Sequence, residues 1–599
     1  MQGRAARIPR KGQGRQVARG LRESFRREAF GKHPRRFGNP RRALSLEGLG
    51  KARRVHLQRR GLAGVRVFRR KAVSSAARLQ QSKRLLMNIK KCLFFALSAF
   101  AASALFAEIK LPRVFSDDMV FQRQKPVKVW GMAEPGADVK VEFAGNSGSA
   151  KAGKDGKWSL FLGAMEASAE PREMRISENG KPAKTVKNIL VGEVWILGGQ
   201  SNMEMQYSWR NLKPDGNPLI RYFANPSPVL SETPLSDTSA SSGWRRAEGD
   251  DLRKFSMVGY GFAQRLARDL GIPVGLVFTA RGGTAMETWI PFGAMDGSEY
   301  LKSRREEYFK SLPAWKNGGY EKAAKAHREK MAKHKAAVEK AKKEKKRPPS
   351  MSWSETVAPV PETPFFALRT PAIHWNGKVA PLAGYSARGF LWYQGESNAG
   401  DSRDLFVETF KILVDSWRDA WKDQSMPWIS VELASYVHGK DWGAVREAQR
   451  AAAASVGNSY IASSADTGED KDIHPADKGP ISERLERIAM RRVYGAKDVA
   501  DMSPEFSGAE FKKGGALVKF GPFGGKLEGR GEPRGFELKI GGKWVEAKPE
   551  IKGGSSVWAA SPDGAAEPEG VRYLWKSWAK PDAWLYTSDG LPAFGFSKE

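Results

Sequence analysis

Residues 188–200 read NILVGEVWILGGQ, and Ser201-Asn202-Met203 follow. An apolar run without polar alternation fits a strand covered on both faces, the setting of a parallel sheet. Its closing glycines mark a tight junction between strand and turn. The same texture recurs at 275–283 (GLVFTARGG), 389–397 (GFLWYQGES) and 427–435 (PWISVELAS). Stretches with helical periodicity lie between these runs, at 260–270, 405–421 and 442–455. Alternating β and α segments predict an α/β fold built on a doubly wound parallel sheet. We place this region at 191–500.

On either side the pattern changes. Residues 108–190 carry short alternating runs, VKVW at 127, VKVEF at 139 and WSLFL at 158, separated by Gly, Pro, Asn and Asp turns. That rhythm predicts an N-terminal β domain, a sandwich or barrel. Residues 501–599 return to short strands and Gly-rich turns and predict a second, C-terminal β domain. Within the α/β region, 301–347 is rich in Ala, Lys and Glu and ends at Pro348-Pro349. It predicts a solvated helical insertion, with a polyanion- or surface-binding hairpin as the alternative.

The formal charge of +34 on 599 residues suggests a nucleic-acid protein until it is located. Residues 1–86 hold 26 Lys/Arg against 3 Asp/Glu, and 301–347 hold 17 against 6. The remainder is balanced at 57 of each, so the body of the protein is neutral and no nucleic-acid partner is expected. Residues 87–107, MNIKKCLFFALSAFAASALFA, read as a secretory signal peptide, with a Lys90-Lys91 n-region, a short apolar core and Ala102-Ser103-Ala104 at the cleavage site. Met87 is therefore the expected start and 1–86 a basic low-complexity extension; an Arg-rich targeting or nucleic-acid-binding arm is the rival reading. A secreted or periplasmic protein with no membrane anchor in its mature chain is expected. The one cysteine, Cys92, lies in the signal and lacks a lipobox, which excludes internal disulfides and Cys-based zinc sites. No metal or cofactor is expected.

In a parallel sheet, ligands bind beyond the carboxyl ends of the strands. Four such ends carry reactive residue types. Ser201, lifted by Gly198-Gly199-Gln200, is placed as a nucleophile at a helix start, or simply as a cap; Met203 breaks the G-x-S-x-G pattern. Gly282 and Gly283 after Arg281 let backbone N–H groups approach an oxyanion, or form an ordinary turn. Gln394 and Asn398 offer amides for the same purpose, and the carboxyl group of Glu396 between them suits the site or the anchoring of loops equally. Asp472-Ile473-His474 joins a base to an acid that fixes its tautomer. His374 and His438 lack such an acidic, glycine-rich context.

Together these blocks resemble the SGNH hydrolase superfamily. GGQSNMEMQ (198–206), GGTAMETWIP (282–291), RGFLWYQGESNA (388–399), REAQR (446–450) and DIHPADKGPISERL (472–485) resemble the sialate O-acetylesterase family within it. The flanking stretches 115–141 and 535–547 are similar to that family too. The resemblance implies an SGNH-type, flavodoxin-like sheet between β domains, and deacetylation of O-acetylated sugars, sialic acid above all, without metal. It implies Ser201 as nucleophile and His474 as base. The Ser201 N–H, Gly282, Gly283 and the Asn398 side chain would form the oxyanion hole, with Gln200, Asn202, Gln394, Glu396, Trp289 and Arg281 around the substrate. The superfamily's acid stands three residues before the histidine, where this chain has Lys471. Asp472 is the preferred acid and Asp466 the alternative, a Ser–His dyad being the third arrangement. Arg281 replaces the family's frequent Trp. An acetylxylan-type esterase is the rival within enzymes. A catalytically silent sugar binder using Trp209, Trp289 and Trp392 is the rival outside them.

Overall fold

The computed structural model describes residues 109–225, 229–238 and 243–599. The expected extension 1–86 and signal peptide 87–107 lie outside the described residues. The sheet at the centre is built on β1 (Lys181–Gly199), β2 (Asn217–Ala224), β3 (Trp244–Ala247), β4 (Val274–Phe278), β5 (Gly389–Tyr393), β6 (Trp428–Val431) and β7 (Ser459–Ala462). Their order is β7-β6-β5-β1-β4-β2-β3. All neighbours run parallel except the edge pair β2–β3. From β1 the chain first builds outward on one side, through β2 and β4, and then on the other, through β5, β6 and β7. The carboxyl ends of β4, β1 and β5 therefore meet at a switch point, where such sheets bind ligands.

The unbroken apolar runs arise because successive side chains enter different cores. Trp195, Leu197, Leu391 and Tyr393 pack with helices α1 (Met257–Leu270) and α6 (Gly479–Arg492). Val194, Ile196, Phe390 and Trp392 pack on the opposite face with α4 (Arg403–Trp421) and part of α5 (Trp442–Ala454). The helix ends follow local chemistry. Ser256, Ser402 and Asp441 cap α1, α4 and α5 by accepting backbone N–H bonds. Gly271 closes α1 in the left-handed region. The insertion forms α2 (Glu299–Ala314) and α3 (Tyr320–Lys343), parted by a kink at Asn317-Gly318. Of α3 only Ala324 is buried, as a solvated helix requires.

The N-terminal strands do not end where the texture changes. The first half of β1 pairs antiparallel with Ser168–Glu178, and its second half enters the parallel sheet. The expected boundary at 190 thus falls inside one strand. At the C-terminal end, two four-stranded antiparallel sheets enclose a single apolar core containing Val518, Leu538, Val557 and Tyr573. Among the described residues no helix is long and apolar enough to cross a membrane.

Candidate active site

The turn after β1 is forced by contacts. Gly199 has φ +122°, and a Cβ there would lie 2.2 Å from the Tyr393 carbonyl oxygen, so only glycine fits. The Gln200 N–H donates to Tyr393 O at 2.9 Å, and the Arg281 N–H donates to Gly199 O at 3.0 Å. These bonds join the ends of β1, β5 and β4. Ser201 then opens a single helical turn, Ser201–Glu204, and is half-buried. Among the described residues no hydrogen bond holds its Oγ.

His474 arrives on the loop after β7. Asp472 Oδ1 accepts the His474 backbone N–H at 2.9 Å and lies 3.3 Å from its Nδ1. Asp472 Oδ2 accepts from Arg210 Nη2 at 2.6 Å, and Arg210 also donates to the His474 carbonyl. Burial pushes the Asp472 carboxyl up, but the His474 N–H and Arg210 outweigh it and hold the group below its ordinary range. Burial pushes His474 below its ordinary value, with Lys478 and Arg210 acting the same way against Asp472. His474 Nε2 is buried without a hydrogen-bond partner. Asp466, the alternative acid, is committed elsewhere: it takes both Nη atoms of Arg484 at 2.7 Å, in a largely buried fork.

Asn202 ties the histidine loop to the turn that carries Ser201. Its Nδ2 donates to the Ile473 carbonyl at 3.1 Å and to Glu396 Oε1 at 2.6 Å, while its Oδ1 accepts from Lys478 Nζ at 2.6 Å. Residues flanking Ser201 and His474 are thereby bonded to each other. Burial raises the Glu396 carboxyl and lowers Lys478 to about 7. The ammonium also sits over the Tyr393 ring at 5.6 Å.

Several residues expected at the substrate are instead internal. Gln200, Asn202 and Gln394 are buried. Gln200 Oε1 accepts the Ser397 N–H, and Gln394 Nε2 donates to Thr284 O and Asn398 Oδ1. Trp289 and Trp392 belong to the apolar core and offer no open face. Their size and apolarity made core and platform indistinguishable in sequence. Trp209 alone of the three expected rings is exposed, and Arg281 keeps a third of its side chain open. His374 is fully buried against Trp289, and His438 packs on Trp442.

On the oxyanion side, two expected donors are engaged by carboxyl groups that sequence reasoning did not weigh. The Gly282 N–H donates to Glu204 Oε2 at 2.5 Å, and Arg281 lies 3.6 Å from the same carboxylate. Asn398 Nδ2 donates to Asp401 at 2.8 Å and to Glu287 at 3.5 Å; its Oδ1 accepts the Met286 N–H. Burial raises both Glu287 and Asp401. Gly283, at φ +75°, continues the same loop. The missed residues carried a signal: Glu204 and Lys478 lie within the motifs around Ser201 and His474. Among the described residues, no group of three or more His, Cys, Asp or Glu side chains is placed to hold a metal ion.

Residues 191–338 and 377–482 match the family model described as carbohydrate esterase, sialic acid-specific acetylesterase. The sialate O-acetylesterase of Rattus norvegicus is 24% identical over 530 residues, spanning 80% of this chain and 92% of that one. The Homo sapiens protein of the same name is 23% identical, spanning 80% and 90%. Among solved structures, a carbohydrate acetylesterase from Xanthomonas citri superposes with a TM-score of 0.65 at 26% identity, covering 82% of this chain and 99% of the other.

Proposed function

Through residues 191–338 and 377–482 the chain belongs to the carbohydrate esterase, sialic acid-specific acetylesterase family, and from that premise we propose that it hydrolyses acetyl esters of sugars, sialic acid foremost, through an acyl-serine. The observation that carries this reading is the connection of Ser201 to His474 by Asn202, with Asp472 on Nδ1 and Nε2 left unpartnered. Leaving aside the edge pair β2–β3, the sheet order reads 2-1-3-4-5, the flavodoxin-like order of an SGNH-type domain.

In the first half-reaction Ser201 Oγ attacks the acetyl carbonyl carbon and its proton passes to His474 Nε2. Asp472 holds Nδ1–H and stabilises the imidazolium. The carbonyl π electrons move to oxygen, and the Ser201 and Gly283 N–H groups receive that charge. Gly282 N–H and Asn398 Nδ2 join them only by exchanging their carboxyl partners for the oxyanion. Collapse breaks the ester bond, and the imidazolium protonates the departing sugar oxygen. Water, deprotonated by His474, then attacks the acetyl-serine carbonyl; collapse breaks the bond to Ser201 Oγ, which takes the proton back from His474, and acetate leaves. Ser201→Ala in the full chain should reduce acetate release from 9-O-acetyl sialic acid by roughly a thousandfold or more, with its unfolding curve unchanged. Retention of about a tenth of the activity would remove Ser201 from this role. Acetylated xylan in the same assay separates the rival substrate, and acetate from neither leaves a sugar binder.

A further inference from the structure

The two stretches that match the family leave residues 339–376 between them. This segment leads back from the solvated helix α3 and brings one aromatic side chain to the reactive loop. Trp353 opens a single helical turn, Trp353–Thr356, whose start is fixed by reciprocal bonds between Ser352 and Glu355. Glu355 also accepts from Lys330 Nζ of α3 at 2.8 Å, and Thr356 Oγ1 donates to the Trp353 carbonyl at 2.6 Å. The indole packs edge-on against Phe366, with ring centroids 6.1 Å apart at 86°. Its far edge lies on Gly283: a Cβ built on that glycine would come within 2.3 Å of Trp353 Cη2. A Cβ on the adjacent Gly282 would lie 3.2 Å from Ser201 Cβ. The indole is thus one residue removed from the nucleophile's own neighbour.

Despite these contacts Trp353 is 57% exposed. A large ring that is fixed at both ends and still open to water fills no core. Held in one orientation, it has already lost the side-chain freedom that binding would otherwise cost. Carbohydrate rings present an apolar face of C–H groups, which suits a flat, electron-rich indole. Of the three rings that sequence suggested for this purpose, Trp289 and Trp392 are internal and Trp209 is exposed.

We propose that Trp353 is the stacking platform for the pyranose ring of the acetylated sugar, supplied by the segment that follows the insertion and set against the Gly282-Gly283 loop. This rests on the esterase reading for the identity of the ligand. The platform itself is tested by binding. Calorimetry with 9-O-acetyl sialic acid should be run on the full chain carrying Ser201→Ala, alone and combined with Trp353→Ala or Trp353→Phe. Trp353→Ala should raise Kd roughly three- to tenfold, and Phe should recover most of the loss. In the Ser201-intact enzyme the rise should fall on KM rather than kcat, and should exceed any change on ethyl acetate, an ester without a ring.

A Kd unchanged within about twofold, or equal losses on ethyl acetate and the sugar ester, would reduce Trp353 to packing on Gly283 and overturn the proposal. If the wild type releases no acetate while binding still depends on Trp353, the platform stands and the esterase reading fails. Absence of sugar binding in both Ser201→Ala and Ser201→Ala/Trp353→Ala overturns the platform.

Discussion

Asp466 and Asp472 are six residues apart on one loop and hold different partners. Asp472 shares its two oxygens between the His474 loop and Arg210. Asp466 gives both to Arg484 in a fork that solvent barely reaches. Asp472→Asn should therefore lower kcat roughly a hundredfold to ten-thousandfold while leaving the urea midpoint in place. Asp466→Asn should do the reverse, lowering stability by about 3–5 kcal/mol by leaving a buried guanidinium unpaired. A large kcat loss confined to Asp466→Asn would exchange the roles. On the proposed mechanism the neutral form of His474 is the base and sets the acidic limb of activity. Burial favours that form and lowers the pKa, so the base stays competent below pH 6.5 and is lost only as pH falls further. A kcat/KM profile with its acidic midpoint at or above 6.5 would contradict this assignment. The sequence left Asp466 and Asp472 undecided because spacing reveals which carboxylates are near the histidine and not which cation claims each. Arg210 and Arg484 are 262 and 18 residues from the aspartates they hold.

At the scale of elements, the reactive turn depends on a close approach between strands. Gly199→Ala would add a methyl against the Tyr393 carbonyl in a backbone conformation that side chains avoid. It should cost about 3 kcal/mol or more and disturb Ser201 with it. Wild-type thermal stability in that variant would refute the contact. This turn was readable, because paired glycines after an apolar strand have few other uses. Strands buried on both faces announced themselves in the same way. Four elements did not: β2, the edge strand β3, β7 and α6. β2 carries Pro218 and a buried Arg221, and β7 is a four-residue edge strand that is half-buried along most of its length. In α6, Ile481, Leu485, Ile488 and Ala489 do fall at helical spacing and are all buried. Its sequence drew attention as a catalytic motif, which hid the ordinary amphipathic helix that it starts.

Across the whole molecule, α5 fastens the C-terminal β-sheets to the parallel sheet. Buried Arg446 donates to the carbonyls of Leu574, Lys576 and Ser577, and Arg450 spans Glu432 and the Gly595 carbonyl. Burial lowers Arg446 to about 10, which still leaves it charged at neutral pH. Arg446→Met should strip the Leu574 and Lys576 carbonyls of their donor, leaving Ser577 with the Tyr436 N–H, and cost about 2–4 kcal/mol, seen as an earlier unfolding transition in calorimetry. An unaltered transition would mean that this latch carries no strain of the assembly. At the opposite end there is no latch to release. β1 is one strand of 19 residues, roughly 60 Å if fully extended. Its first half is woven into the N-terminal sheet, and its last residues carry the serine. Ser201 is mounted just past the tip of a strand whose other end pairs with the N-terminal strands. One bend interrupts that strand, at Asn188, which takes φ 55° where the pairing with Ser168–Glu178 shifts register. The aim of Ser201 is therefore tied, through one continuous backbone, to the pairing of the N-terminal strands.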